Sequence, residues 1–328
     1  MSLDADTIVD RRRMRRKLTF WRVFAILLAI GAVIAVGVGL RGQGNGVLTA
    51  GTAGSIARVT ITGLIRGDQQ RVEALERLAR SPAKAVIVHI NSPGGTTSGS
   101  EELHDSIKRL KEQKPIVVVV DGLAASGGYI AALASDHIVA QETSLVGSIG
   151  VLFQYPNVTD LMRTIGVRVE EIKSSPLKAA PNGFEPTSPE ARAAIEAIVM
   201  DSYAWFRGLV KDRRQLDDAA LDRVADGRVF TGRQGVQLKL VDELGDEKTA
   251  VAWLAKEKNI DPKTPVRDYR LRDRLSDLPF LHTAAVVALD ALGLSALARR
   301  FETSGAMEAI ERLNLDGLLA LWHPPASN

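Results

Sequence analysis

The sequence predicts an α/β domain with a mostly parallel sheet, and it predicts a membrane-spanning helix ahead of that domain. Short β-branched runs alternate with segments of helical periodicity across residues 55–257, the pattern of parallel strands joined by crossover helices. Two runs, VIVHI and IVVVV, are apolar throughout, as expected for strands covered on both faces. An uncharged apolar stretch occupies residues 23–40, which is long enough to cross a bilayer.

The elements of the domain are predicted from apolar periodicity. Strands are predicted at residues 56–65, 85–90, 116–120, 137–140 and 167–172. Helices are predicted at residues 69–80, 99–111, 127–135, 160–165 and 189–214. Segments 280–297 and 307–322 also have helical patterns, so residues 258–328 are expected to form a helical extension of unassigned role. His282 and Asp290 interrupt the first of these segments, which favours an amphipathic helix over a second membrane span.

The N-terminal region has three parts of different composition. Residues 1–22 contain seven basic and three acidic residues, and this basic tail is expected to stay in the cytoplasm. Residues 23–40 are expected to anchor the chain in membrane lipid, and the Gly-rich stretch 41–54 indicates a flexible linker. The alternative is a cleavable signal peptide with a cleavage site near residues 48–50. Both interpretations place the domain on the outer, periplasmic or extracytoplasmic side of the cytoplasmic membrane.

Composition excludes several classes of function. The formal net charge is +3, but the N-terminal tail alone carries +4, so the rest of the chain offers no phosphate-binding face and no nucleic-acid partner is expected. The chain has no cysteine, which removes thiol nucleophiles, thiolate metal sites and disulfides. No His pair has the HExxH spacing of a zinc protease, and neither a metal nor a cofactor is expected.

Three loops contain the residues that predict chemistry. Residues 91–95, NSPGG, follow a predicted strand, and a Gly-Gly pair there can turn sharply and present backbone N–H groups to a ligand. Ser126 follows the next strand and directly precedes Gly127 and a helix of small residues, which is the layout of a nucleophile elbow. Ala124 breaks the GxSxG pattern of that elbow, and Ser126 taken alone is equally well explained as a helix N-cap. The third loop, residues 146–150, is VGSIG.

A serine nucleophile needs a base to accept its proton. His89 lies in a predicted strand, His104 in a predicted helix and His137 at the start of a strand, positions that favour structural roles. A lysine can serve instead if burial lowers its pKa from about 10.4 towards neutrality. Lys173 and Lys178 both follow the third loop, and spacing alone does not choose between them.

Taken together, these loops resemble peptidase family S49, in particular its short, single-domain signal peptide peptidases. The runs occur in family order over residues 55–257 and are NSPGG, DGLAASGGYIAALASDHIVA, LVGSIGV, VEEIKSSPLK and ADGRVFTGRQGVQLKLVDELG. The resemblance implies a ClpP/crotonase-like spiral fold for these residues. It leaves residues 258–328 unassigned.

The resemblance also implies roles for individual residues. Ser126 matches the family's nucleophile, Lys178 its general base, and Ser148 the serine that orients the base. Gly95 and Gly127 match the backbone N–H donors of the oxyanion hole.

One departure concerns the base. The family often has an aromatic residue before this lysine and an acid after it, whereas here Leu177 and Ala179 flank Lys178. Lys173 therefore stays an alternative base.

The implied enzyme is a membrane-anchored serine endopeptidase that degrades cleaved signal peptides and similar peptides. The resemblance also implies a ring-shaped homo-oligomer. Since one domain supplies one Ser and one Lys, each site is completed either within one chain or by a neighbouring subunit. Three rival interpretations are a crotonase-like acyl-CoA enzyme, another inner-membrane protease of family S49, and an inactive S49-like membrane scaffold.

Overall fold

The computed structural model describes residues 54–271 and the backbone of residues 318–321. Ten strands in these residues belong to one sheet: β1 (Ile56–Ile65), β2 (Ala85–Thr96), β3 (Ile116–Ala125), β4 (His137–Ala140), β5 (Leu145–Gly147), β6 (Leu152–Phe153), β7 (Val229–Thr231), β8 (Glu243–Leu244), β9 (Val266–Asp268) and β10 (Leu318–Leu321). The helices of these residues are α1 (Gln69–Ala79), α2 (Thr97–Lys111), α3 (Gly127–Leu133), α4 (Thr159–Thr164), α5 (Pro189–Arg214), α6 (Asp218–Val224), α7 (Gly232–Gln237) and α8 (Glu247–Lys258).

Parallel strands form the centre of the sheet. β1, β2, β3 and β4 lie in this order and all run parallel, with β9 beside β1 and β8 beside β4. The strand β3 pairs first with β4 and then, nearer its carboxyl end, with β5. Among the ten strands, antiparallel pairing joins β5 to β7, β10 to β2 and β10 to β6. The mostly parallel α/β sheet predicted from the sequence is confirmed.

The central strands are buried on both faces, as their apolar runs predicted. Side chains alternate across a strand, so Val118 and Val120 pack with helices α1, α2, α3 and α5 in one cluster. Val117 and Val119 face the other way and pack against Leu254 of α8 in a second cluster. Each fully buried aliphatic side chain of this kind contributes about 1.5–3 kcal/mol through removal from water, so this double-sided core makes the central strands a rigid support for the loops at their carboxyl ends.

Two predictions of secondary structure are wrong. Residues 167–172 do not form a strand. Val167, Val169 and Ile172 are exposed there, and β-branched residues without a pairing partner or a core have nothing to hold them extended. In the part of residues 258–328 that is described, the chain forms β9 and β10 rather than helices. Short apolar runs fit either structure, and the free edges of β1, β2 and β6 decide in favour of strands.

The other predicted strands and the five helices predicted within residues 55–257 are present, with ends shifted by a few residues at several places. The tail, the anchor, the linker up to residue 53 and the segment 280–297 lie outside the described residues. Within residues 54–271, no helix combines the length and the apolar character needed to cross a bilayer.

Candidate active site

Ser126 lies on a strained turn between β3 and α3. Its backbone has φ 53° and ψ −116°, a left-handed conformation that costs a non-glycine residue about 1–3 kcal/mol. The Ser126 amide donates to the Gly147 carbonyl oxygen at 2.8 Å, which helps to hold this conformation. The side chain is 1% exposed, and its Oγ has no hydrogen-bond partner among the described residues. The predicted strand-to-helix turn is confirmed, and Ser126 does not use its side chain to cap α3.

Glycine next to this turn allows α3 to approach the neighbouring loop. A Cβ on Gly128 would lie 2.8 Å from the Ser92 carbonyl oxygen, closer than real Cβ atoms come to backbone. The Gly127-Gly128 pair therefore lets the helix start directly against the end of β2. Gly127 is the first residue of α3, so its amide has no acceptor within the helix.

Ser148 occupies the corresponding position after the neighbouring parallel strand. Ala125 of β3 is paired with Gly147 of β5, so Ser126 and Ser148 directly follow paired residues at the same edge of the sheet. Ser148 also has a positive φ, 52°, and its amide donates to the Arg228 carbonyl oxygen at 2.8 Å. The structure therefore places Ser126 and Ser148 after paired residues of adjacent strands.

Gly95 lies near the end of β2, one strand away from Ser126. On one edge it pairs with Ile65 of β1, so closely that a Cβ would stand 1.7 Å from the Ile65 carbonyl oxygen. On the other edge, β2 pairs first with β3, at Ser92 and Ala124, and then with β10, where Gly95 is paired with Ala320. Because β1 occupies the first edge, β10 lies on the edge of β2 that faces the end of β3. An extended chain therefore lies beside Gly95 on the Ser126 side.

Ser92 is a residue of this site that the sequence analysis did not single out. Its Oγ donates to the Gly63 carbonyl oxygen at 2.6 Å and accepts from the Gly94 amide at 3.1 Å, so it shapes the turn that contains the Gly-Gly pair. A serine two residues before a glycine in a Pro-Gly turn is a known signal for such a local hydrogen bond. The hydrogen bond from the Ser148 amide to the Arg228 carbonyl oxygen has no such signal in the sequence. It depends on the contact between β5 and β7, which are distant in sequence.

The two candidate lysines lie in different surroundings. Lys178 is exposed, and its Nζ makes no hydrogen bond or ion pair with the described residues, Ser126 included. Lys173 Nζ lies 2.6 Å from Glu171 Oε2 and 2.5 Å from Glu185 Oε1. The hydrogen bond to Glu171, followed by that to Glu185, raises the pKa of Lys173 above its usual range. A lysine held in its protonated form cannot accept a proton, so the structure argues against Lys173 as the base.

The histidines have structural contacts, as predicted. His89 Nδ1 lies 2.9 Å from Asp121 and its Nε2 lies 2.9 Å from Glu247. His104 is buried in α2, where desolvation lowers its pKa, and the ring of His137 stacks on Trp253 at 4.7 Å. None of them hydrogen-bonds to Ser126 Oγ, which has no partner within the described part of the chain.

The segment that contains Lys178, residues 154–188, exposes an unusual amount of apolar surface. Large apolar side chains exposed in it are Leu161, Ile165, Val167, Val169, Ile172, Leu177 and Phe184. Ile198 and Met200 of α5 are exposed as well. Single exposed apolar residues are ordinary, whereas so many in one segment are typical of an interface.

Comparisons with family models agree with the motifs. The Peptidase family S49 model matches residues 108–261, which include Ser126, Ser148 and Lys178. The Clp protease model matches residues 65–144, which include the β2 and β3 loops. This second match supports a ClpP-like form of the α/β fold.

Named proteins similar to this chain include proteases from distant organisms. A protein named as a candidate protease of Synechocystis sp. is 35% identical over 213 residues, which are 64% of this chain and 77% of that protein. A protein named as a candidate protease of Methanocaldococcus jannaschii is 33% identical over 255 residues, 73% of this chain and 81% of that protein. A protein of Enterococcus faecium named as a candidate signal peptide peptidase, SppA, is 35% identical over 184 residues, 56% of this chain and 54% of that protein. The chain therefore belongs to peptidase family S49, a family of serine-type proteases.

Proposed function

We propose that this protein is a membrane-anchored serine endopeptidase in which Ser126 is the nucleophile and Lys178 is the general base. The observation that carries the proposal is the Ser126 side chain itself. It is 1% exposed, it sits on a strained strand-to-helix turn, and its Oγ has no partner among the described residues. A buried hydroxyl without a partner costs free energy, and such strain persists mainly where function requires it.

The proposed reaction is acyl transfer. Neutral Lys178, oriented by Ser148, takes the proton of Ser126 Oγ as the oxygen attacks the carbonyl carbon of a peptide bond. The tetrahedral oxyanion accepts hydrogen bonds from the Gly95 and Gly127 amides. The C–N bond then breaks while Lys178 protonates the leaving amine, and water, deprotonated by Lys178, hydrolyses the ester on Ser126.

A second copy of the chain is proposed to supply the base. Lys178 is exposed and belongs to a segment rich in exposed apolar side chains, and a serine nucleophile is incomplete without a base. Burial of this segment against a neighbouring copy would cover the apolar side chains. The same burial would desolvate Lys178, which lowers a lysine pKa. Repetition of one such head-to-tail contact closes a ring.

Peptide substrates are proposed to bind as extended strands on the edge of β2. The pairing of residues 319–321 with Gly94, Gly95 and Thr96 supports this mode, because it places an extended chain on the edge that faces the end of β3. Addition of a strand to a sheet edge gives affinity through main-chain hydrogen bonds. The sequence of the paired segment, LLAL, has the apolar composition of a signal peptide core. Cleaved signal peptides are therefore the proposed substrates, met at the outer face of the cytoplasmic membrane by a domain anchored through residues 23–40.

The test compares variants of the full-length protein in detergent, with a fluorogenic apolar peptide as substrate. We expect Ser126→Ala and Lys178→Ala to lower kcat/KM by at least about 10³-fold, whereas Ser202→Ala in α5 serves as a control with unchanged activity. A serine-directed fluorophosphonate should label Ser126, as identified by peptide mass spectrometry. Wild-type cleavage by Ser126→Ala would refute the assignment of the nucleophile. Absence of both labelling and cleavage in the wild-type protein would favour the membrane scaffold.

A further inference from the structure

The loop that contains Lys178 is closed at its base by four polar side chains. Lys173 Nζ lies between Glu171 and Glu185, at 2.6 Å and 2.5 Å from their carboxylate oxygens. Asn182 Nδ2 donates to the Glu171 oxygens at 2.9 Å and 3.0 Å and to Glu185 at 3.3 Å. The two carboxylates stand at opposite ends of the loop, so each end is joined to the other through both Lys173 and Asn182. We call these four side chains the loop clamp.

One end of the loop clamp is fixed to the body of the segment. The Gly183 carbonyl oxygen accepts from the Val158 amide at 2.9 Å, directly before α4. Gly183 has φ 80°, and a Cβ at this position would lie 2.1 Å from the Pro156 carbonyl oxygen. Only glycine allows this approach. The end of the loop that holds Asn182 and Glu185 is therefore set against a defined support.

Between the clamped ends, Lys178 is held only by short-range turns. Its amide donates to the Ser175 carbonyl oxygen at 3.1 Å, and the Ala180 amide donates to the Leu177 carbonyl oxygen at 3.3 Å. Residues 174–179 are all exposed, so the buried core does not fix this part of the loop. The position of Lys178 thus depends on the separation of the loop ends, which the loop clamp sets.

From this geometry we infer that Lys173 is a positioning residue for Lys178, the cation that holds Glu171 and Glu185 together at the base of the loop. This inference rests on the proposed function, in which Lys178 must reach Ser126. A general base acts only within hydrogen-bond reach of its proton, and a displacement of about 1 Å can cost about 10²-fold in rate. Since its two carboxylate partners raise the pKa of Lys173, it is a permanent cation at neutral pH.

The test uses substitutions that separate charge from proton transfer. Arginine keeps the positive charge and can bridge two carboxylates, but it does not act as a base because it is not deprotonated in proteins. We expect Lys173→Met to lower kcat by about 10- to 100-fold with KM within about twofold of wild type. Lys173→Arg should restore kcat to within about fivefold of wild type, while Lys178→Arg should be inactive. Lys211→Met is the matched control, since Lys211 Nζ lies 2.5 Å from Asp218 in an exposed pair away from this loop.

The outcomes separate the inference from the proposed function. If Lys178→Arg is inactive and Lys173→Met retains wild-type kcat, the positioning role is wrong and the Ser126–Lys178 assignment stands. If Lys178→Arg is active and both Lys173 variants are inactive, Lys173 is the base and both proposals are overturned. A parallel measurement of thermal unfolding excludes a general loss of folding. The positioning role requires Lys173→Met and wild type to unfold within about 2 °C of each other, because exposed ion pairs contribute little to stability.

Discussion

The two halves of the candidate active site are built by different means. Ser126 and Ser148 follow paired, buried strands, and both are less than a tenth exposed. Lys178 stands on an exposed loop whose ends are joined by the loop clamp, and the nearby Ile172 is 107% exposed. The nucleophile side is therefore held by the hydrophobic core and the sheet, whereas the base side is held by polar contacts at the surface. In the proposed mechanism, the nucleophile side is formed within one chain, and the base side is completed by assembly with a second copy.

The largest expected effect tests how tightly the nucleophile side is packed. Gly95→Ala places a Cβ 1.7 Å from the Ile65 carbonyl oxygen, so β1 and β2 must separate. We expect it to lower the free energy of unfolding by about 3 kcal/mol or more, measured by urea denaturation, and to abolish peptide cleavage. Gly208→Ala is the control, since a Cβ there meets nothing within 4 Å and should stabilise the helix by about 0.5–1 kcal/mol. Wild-type stability of Gly95→Ala would show that the strands are not rigidly paired.

Complementation tests whether the two halves come from different chains. Ser126→Ala and Lys178→Ala chains, each inactive alone, are co-expressed with different tags and purified as mixed assemblies. In a randomly mixed ring, about one site in four has an intact Ser126 beside an intact Lys178, so about a quarter of wild-type kcat is expected. A mixture as inactive as its components would place both residues of each site in the same chain.

Ser148→Ala tests the proposed contact between the nucleophile side and the base, in which Ser148 orients Lys178. Ser148 is held by the Arg228 carbonyl through its backbone amide, so the substitution should leave the turn in place. We expect kcat to fall by about 10- to 100-fold, with an unchanged rate of thermal inactivation. An unchanged kcat would remove Ser148 from the mechanism.

A smaller effect is expected from the strand that lies on the proposed substrate edge. A chain that ends at residue 317 lacks the partner of Gly95 on that edge, so peptide substrates should bind there without competition. We expect kcat/KM for the fluorogenic peptide to rise about two- to tenfold. Leu319→Pro removes a backbone donor from β10 and should act in the same direction. Lower activity in both variants would mean that β10 supports the site instead of occupying it.

The smallest expected effect concerns the pH dependence of stability that arises from Glu247, at the start of α8. The hydrogen bonds from Arg58, followed by that from His89, outweigh desolvation and lower the pKa of Glu247 from its ordinary value of 4.5. As the pH falls, the Glu247 carboxylate therefore becomes protonated in the unfolded chain before it does so in the folded protein. The contribution of Glu247 to the free energy of unfolding is complete above pH 4.5 and is lost as the pH falls through the folded pKa.

The substitution Glu247→Gln tests the direction of this pH dependence. The stability difference between wild type and Glu247→Gln, from urea unfolding, should be largest above pH 5 and should shrink below pH 4.5. Glu76→Gln, which removes an exposed pair at 3.9 Å from Arg80, is the reference. A difference that grows on acidification would contradict the sign of the pKa shift.

Much of the nucleophile side could be predicted from the sequence. The apolar runs of β2 and β3 are signals of strands buried on both faces, and a serine followed by two glycines between a strand and a helix marks the turn at Ser126. Segment 167–172 was predicted as a strand from β-branched residues alone. The prediction is wrong because a strand also needs a neighbour, and composition does not show whether one is present.

The sequence by itself determined the family, the order of the central strands and helices along the chain, and the turn that carries Ser126, because local periodicity and glycine placement act over a few residues. Only the tertiary structure decided which of the two candidate bases forms ion pairs with neighbouring carboxylates. Lys173 and Lys178 have the same chemistry and lie in the same loop, but Glu171 and Glu185 surround Lys173 alone. The pairing of β5 with β7 and of β10 with β2 was also decided there, since contacts between distant parts of the chain depend on which strand edges the folded core leaves open.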